Sequence, residues 1–239
     1  MSLLDYFHPL SALKRQRENY LVKDSLSQSL VEPTSAPLPE LKALCSEVTY
    51  LALDIETTGF DPVEDEILSM GWVVIKNQQI DLANSQHVYI KHCDKVKPES
   101  AVINHITPQM LANGVSLHEA MSYFFSQLGD KVLVVHGSVI EAGFINYYAQ
   151  KYWQLPPPPL LWLDTLCLEK HFATAIDHYS DVDLTLAGTR KRYGLPEYNS
   201  HNALVDALGA AELLLAQQKR LSRGSRDSFA RLYRLSQKK

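Results

Sequence analysis

Residues 48–55, VTYLALDI, form an apolar run whose only acid, Asp54, stands two positions before Glu56. On an extended strand, residues i and i+2 share a face, so this segment projects both carboxylates together while Ile55 turns to the opposite side. The run ILSMGWVVI at 67–75 reads as its hairpin partner, and Gln86 to Ile90 as a weaker third strand. Two like charges on one face repel, and one pKa must rise unless a cation lies between them. Oxygen-only ligands suit Mg²⁺ or Mn²⁺. The competing reading is two acids at an exposed strand end. Thr57, Thr58 and Gly59, next in the chain, offer hydroxyls and exposed backbone N–H groups that can grip a sugar or a phosphate.

Helical patterns then take over. Pro108 to Ala112 is a short one, and Ser116 caps a helix to Leu128. A buried-type strand at Val132 to His136 precedes a helix from about Ile140 to Tyr152. Four prolines at 156–159 break the chain before LLWLDTL, another strand candidate. A helix near Leu184 to Tyr193 stops at Gly194, and the last strong helix runs from about Asn202 to Gln218. Strands followed by alternating strands and helices predict an α/β fold, a mixed sheet with helices on its faces. Residues 1–46 read as an N-terminal extension, helical around LSALKRQRENYLV, with VEPTSAPLPE as a Pro-broken linker. Residues 47–218 form the main domain. Residues 219–239 are a basic tail, either a solvated segment or a contact for nucleic acid or a partner, with RDSFARLYRL able to form a short amphipathic helix.

Bulk properties limit the partners. A net charge of −4 means that any polyanion must be held by a local basic surface or by metal ions. Three cysteines far apart, Cys45, Cys93 and Cys167, predict neither a disulfide framework nor a zinc site, and a reducing cytosol fits best. No signal peptide and no membrane-length apolar run is expected, which points to a soluble, cytoplasmic protein.

Two further segments carry chemistry. Glu141 lies in the first turn of its helix, where the dipole favours a carboxylate for purely structural reasons. Asp206 is a poor helix former between apolar Val205 and Ala207, so it points at something specific. His201 lies about 140° from Asp206 around a continuous helix, so the two share a site only if His201 precedes the helix, with Asn199 and Ser200 as candidate caps.

At this point the chain resembles the DEDDh family of 3′–5′ exonucleases, which includes the proofreading epsilon subunit of bacterial replicative polymerases. LALDIETTG is similar to the first motif, VVHGSVIEAGFI to the second and HNALVDA to the third. NHITPQML, LDTL and LAGTRKRYGLP match intervening segments, and the resemblance spans roughly residues 48–216. It implies an RNase H-like mixed sheet flanked by helices. It implies two Mg²⁺ or Mn²⁺ ions held by Asp54, Glu56, Glu141 and Asp206, with His201 as general base. It also implies that Thr57, Thr58 and Gly59 hold the terminal nucleotide, with His105 and Ile106 bordering it. The expected activity is hydrolysis of terminal phosphodiesters from a free 3′ end, single-stranded DNA above all, releasing 5′-mononucleotides in proofreading or repair. Two departures stand out: Gly137 replaces the usual Asn, and Glu141 is one methylene longer than the usual Asp.

Two alternatives remain at this level: an exoribonuclease acting on RNA ends, and a non-catalytic nucleic-acid-binding or polymerase-associated module with Glu141 as the lesion. The segment SLLDYF is similar to short peptides that dock on a sliding clamp, although it lacks their leading Gln. A DNA polymerase or a sliding clamp is therefore an expected partner; a membrane is not.

Overall fold

The computed structural model describes residues 3–22, 28–91, 106–174, 182–199, 201–222 and 228–237. One five-stranded mixed sheet organises them. Its strands are β1 (Tyr50–Thr57), β2 (Ile67–Lys76), β3 (Gln79–Tyr89), β4 (Val132–Val135) and β5 (Trp162–Asp164), in the order β3-β2-β1-β4-β5. The β3-β2 and β2-β1 pairs are antiparallel, and β1-β4 and β4-β5 are parallel. Helices among the described residues are α1 (Leu3–Tyr6), α2 (Pro9–Leu21), α3 (Gln28–Ser35), α4 (Pro108–Ala112) and α5 (Leu117–Leu128). They continue as α6 (Val139–Trp153), α7 (Thr165–Thr174), α8 (Leu186–Arg192), α9 (Ala203–Ser222) and α10 (Phe229–Ser236).

The period-2 pattern of β1 sorts its side chains into two cores. Leu51, Leu53 and Ile55 pack with Phe124 and Phe125 of α5 and with Phe144 and Ile145 of α6. Tyr50 and Ala52 pack with Leu168 of α7, Ala211 and Leu214 of α9, and Phe229 of α10. Asp54 and Glu56 continue that second face at the end of the strand. A register shift between Glu56 and Thr57 ends the regular ladder with β2 there, and such irregularities re-aim side chains beside functional sites.

Gly71 on β2 pairs with Asp54. A Cβ at this position would overlap the backbone of Ala203 and Leu204. The start of α9 therefore crosses the sheet in contact with bare backbone, and Asp206 arrives one turn later beside β1. We expect Gly71→Ala to cost about 1–3 kcal/mol, the range for overpacking, and to displace Asp206. Urea unfolding measures the first effect and turnover the second.

Several elements differ from the sequence expectation. The supposed linker VEPTS lies in α3, with Pro33 inside the helix. Leu30 and Thr34 are fully buried and α3 lies against α5, so tertiary burial overrides the proline. Helix α7 follows β5 directly and was not expected. Its signal was present, because Asp164 accepts from the backbone N–H groups of Leu166 and Cys167 as a capping aspartate does. The third strand begins at Gln79, and its half-exposed edge position explains its weak apolar pattern. Helix α10 buries Phe229, Leu232 and Leu235 in the core, so residues 229–236 do not trail in solvent. It meets the N-terminal segment, with Phe229 N donating to Ala43 O at 2.8 Å and His8 Nε2 within 3.0 Å of Ala230 O. No described helix is long and apolar enough to cross a membrane.

Candidate active site

Asp54 and Glu56 from β1 and Asp206 from the first turn of α9 present carboxylate oxygens within 4.8 Å of one another, an arrangement that could hold a metal ion. Crowding and loss of water both act on these acids. Burial is the largest influence on Asp54, and the charges of Glu141, Asp206 and Glu56 add to it, holding its pKa well above the ordinary range. Burial and the Asp206 charge push Glu56 up to about 7. Asp206 is also raised by burial, although N–H donation from His201 and the charge of Arg190 oppose the shift.

Glu141 is the fourth acid. It is buried in the first turn of α6, and burial together with the charges of Asp164 and Glu56 pushes its pKa to about 8. Its Oε2 is buried without a hydrogen-bond partner among the described residues, a costly state for a carboxylate oxygen. Oxygen donors, crowded negative charge and an orphaned buried acceptor all fit divalent cations. Glu141 is not among the three acids whose oxygens meet most closely.

The acids create a pH dependence of known sign. Below about pH 4.5 Glu56 and Glu141 are protonated in both the folded and unfolded chain, whose ordinary value is 4.5. Between there and about 8 the unfolded chain releases protons that the folded chain retains, so the metal-free fold loses stability as pH rises. We expect the melting temperature of chelated protein to fall from pH 5 to pH 8, and Mg²⁺ or Mn²⁺ to raise it more at pH 8. A flat profile, followed by differential scanning fluorimetry, contradicts this arrangement.

Asp164 at the end of β5 anchors the backbone that leads into the helix carrying Glu141. Its carboxylate accepts from Gly137 N at 3.0 Å and Ser138 N at 2.8 Å, which anchors the entry to α6, and from Leu166 N and Cys167 N at the entry to α7. Gly137 takes φ +94°, a conformation that costs glycine little. The sequence motif LDTL marked this position without showing which backbone it binds.

His201 precedes α9, as facing Asp206 requires. Its φ is +67°, and its backbone N donates to Asp206 Oδ2 at 2.8 Å. The cap of α9 is Asn202, whose Oδ1 accepts from Val205 N, rather than Asn199, and Ser200 lies outside the described residues. His201, Asp54 and Asp206 line one cavity of about 620 Å³ with His136, Arg190 and Tyr198.

Thr57 and Thr58 shape the turn beside the acids. Thr57 Oγ1 donates to Gly59 O at 2.6 Å, and Thr58 Oγ1 donates to Asp65 Oδ1 at 3.0 Å. A Cβ on Gly59 would overlap the Asp65 carboxylate, so a larger residue here requires that side chain to move. Ile106 is buried with Leu68 and Leu111. His105 lies outside the described residues.

A five-stranded mixed sheet with clustered acids at the end of its central strand defines the class of RNase H-like nucleases. A family model described as Exonuclease (RNase_T) matches residues 51–214, and the chain belongs to that family. It is 32% identical over 202 residues to a DNA polymerase III PolC-type of Thermotoga maritima, covering 83% of this chain and 13% of that protein. It is 28% identical over 188 residues to a 3′–5′ exonuclease DinG of Staphylococcus haemolyticus, covering 79% and 20% respectively. The chain thus spans a small part of the relatives it matches. Among solved structures, the nuclease domain of 3′hExo, a DEDDh family member bound to rAMP, superposes with TM-score 0.61 at 17% identity, covering 77% of this chain and 96% of that one. E. coli Exonuclease I in complex with a dT13 oligonucleotide gives TM-score 0.60 at 16% identity, covering 74% and 42%. DEDDh exonucleases use divalent metals.

Proposed function

We propose that this chain removes nucleotides one at a time from the 3′ end of single-stranded DNA, releasing 5′-mononucleotides. The observation that carries this reading is the meeting of Asp54, Glu56 and Asp206 around one point, with the charge of Glu141 acting on Asp54 and its buried Oε2 unpartnered among the described residues. Asp54, Glu56, Glu141 and Asp206 would hold two Mg²⁺ or Mn²⁺ ions. When bound, these ions supply charge neutralisation for the phosphodiester and Lewis-acid activation.

The chain's own residues do the rest. Thr57, Thr58 and Gly59 border the terminal nucleotide and orient it toward the acids. His201 stands on the cavity wall, where its imidazole accepts the proton of the attacking water. Glu141, one methylene longer than aspartate, would join these acids at the metals from a helix start that Asp164 anchors.

The PolC-type relatives support association with a DNA polymerase. The exposed Tyr6 and Phe7, edge to face at 5.3 Å, suit docking on a sliding clamp. Digestion of 5′-labelled single- and double-stranded DNA and RNA with Mg²⁺ or Mn²⁺ tests the activity. A descending ladder from the 3′ end of DNA is expected. RNA degraded faster than DNA would replace the substrate, and no cleavage of any oligonucleotide would overturn the enzyme reading.

A further inference from the structure

Arg190 of α8 lines the cavity that holds Asp54, His201 and Asp206, yet the reaction above gives it no task. It is only 4% exposed, and a guanidinium so buried must have its charge and donors satisfied. One Arg190 nitrogen donates to Gly209 O at 2.7 Å. The other donates to Pro196 O at 2.8 Å and to Glu212 Oε2 at 2.7 Å. The Tyr198 ring covers the guanidinium at 4.5 Å, and its hydroxyl donates to Glu212 Oε1 at 2.9 Å.

These contacts join three pieces of chain: α8 through Arg190 itself, α9 through Gly209 and Glu212, and the connecting segment through Pro196 and Tyr198. Positions 206, 209 and 212 follow one i, i+3 row on α9 that turns about 60° per step, so Glu212 lies about 120° around the helix from Asp206. Gly209 and Glu212 face Arg190, and Asp206, one step back along that row from Gly209, faces the acids. Gly209 packs against Arg190, where a Cβ would stand 3.4 Å from Arg190 Cδ, at ordinary contact distance. His201 follows Tyr198 by three residues and holds a φ of +67°, which a residue with a Cβ adopts only under restraint. Asp206 supplies that restraint on one side through the His201 N–H.

We propose that Arg190 is a positioning residue: with Glu212 and Tyr198 it clamps residues 195–199 onto α8 and α9 and thereby places the His201 imidazole for proton transfer. The inference rests on His201 being the base of the reaction proposed above.

A mutant cycle on single-stranded DNA at saturating Mg²⁺ tests it. Arg190→Met is expected to lower kcat by about 10- to 100-fold, the scale of a small misplacement, with KM nearly unchanged. His201→Ala with Arg190→Met should lose no more than His201→Ala alone, because both remove the same function. Arg190→Met strands Glu212 and can unfold the chain, so Tyr198→Leu, at a residue 38% exposed, serves as the second variant. It should lower kcat about threefold to tenfold in the wild-type background and not at all in His201→Ala. Full kcat in either folded variant, or losses that multiply with that of His201→Ala, overturns the clamp while leaving the reaction standing. A wild-type chain that cleaves nothing overturns the reaction and this inference with it.

Discussion

Chelation with EDTA is expected to stop cleavage altogether, and added Mg²⁺ or Mn²⁺ to restore it. The four acids bring crowded negative charge to the cleft, and burial raises the pKa of each of them. A phosphate diester approaching this surface without cations meets repulsion and no Lewis acid. Cations contribute several kcal/mol to phosphoryl transition states, and each 1.36 kcal/mol is a factor of ten, so the loss should be about 10³-fold or more. Asp54→Asn should reproduce much of that loss in the presence of metal, because Asp54 is the acid whose pKa reports charge from the other three. Activity that persists after dialysis against EDTA would remove the metal assignment, whatever the fold.

The second large effect is expected at His201. His201→Ala should fold with a wild-type melting curve and lower kcat by about 10²- to 10⁴-fold, the usual contribution of a general base. The side chain is exposed on the cavity wall, and its backbone bond to Asp206 does not depend on the imidazole, so stability should hardly change. Affinity for DNA, measured by fluorescence anisotropy in Ca²⁺, should remain within about threefold of wild type, as expected for a group that acts in the chemical step. Full turnover in this variant would assign the proton to another acceptor.

Several parts of this molecule were legible in its residues. Asp54 and Glu56 share a face because strand geometry alone puts them there, and Ile55 lies in the opposite core as expected. Ser116 caps its helix by accepting from Glu119 N, and the reciprocal bond from Ser116 N to Glu119 is in place. The requirement that His201 precede its helix followed from 100° per residue and is met. Helix α3 was hidden by Pro33 and β3 by its polar edge. Helix α7 was hidden by sitting directly against a strand, although Asp164 marked its start.

The sequence alone determined which residues can carry chemistry and which of them lie together within one element, because backbone periodicity acts over a few residues. Only the tertiary structure decided that Glu141 couples electrically to Asp54, that α9 crosses the sheet at Gly71, and that Arg190 binds the segment leading to His201. Those facts depend on distance through space and on the exclusion of water. Both are set when chain segments separated by scores of residues pack against one sheet.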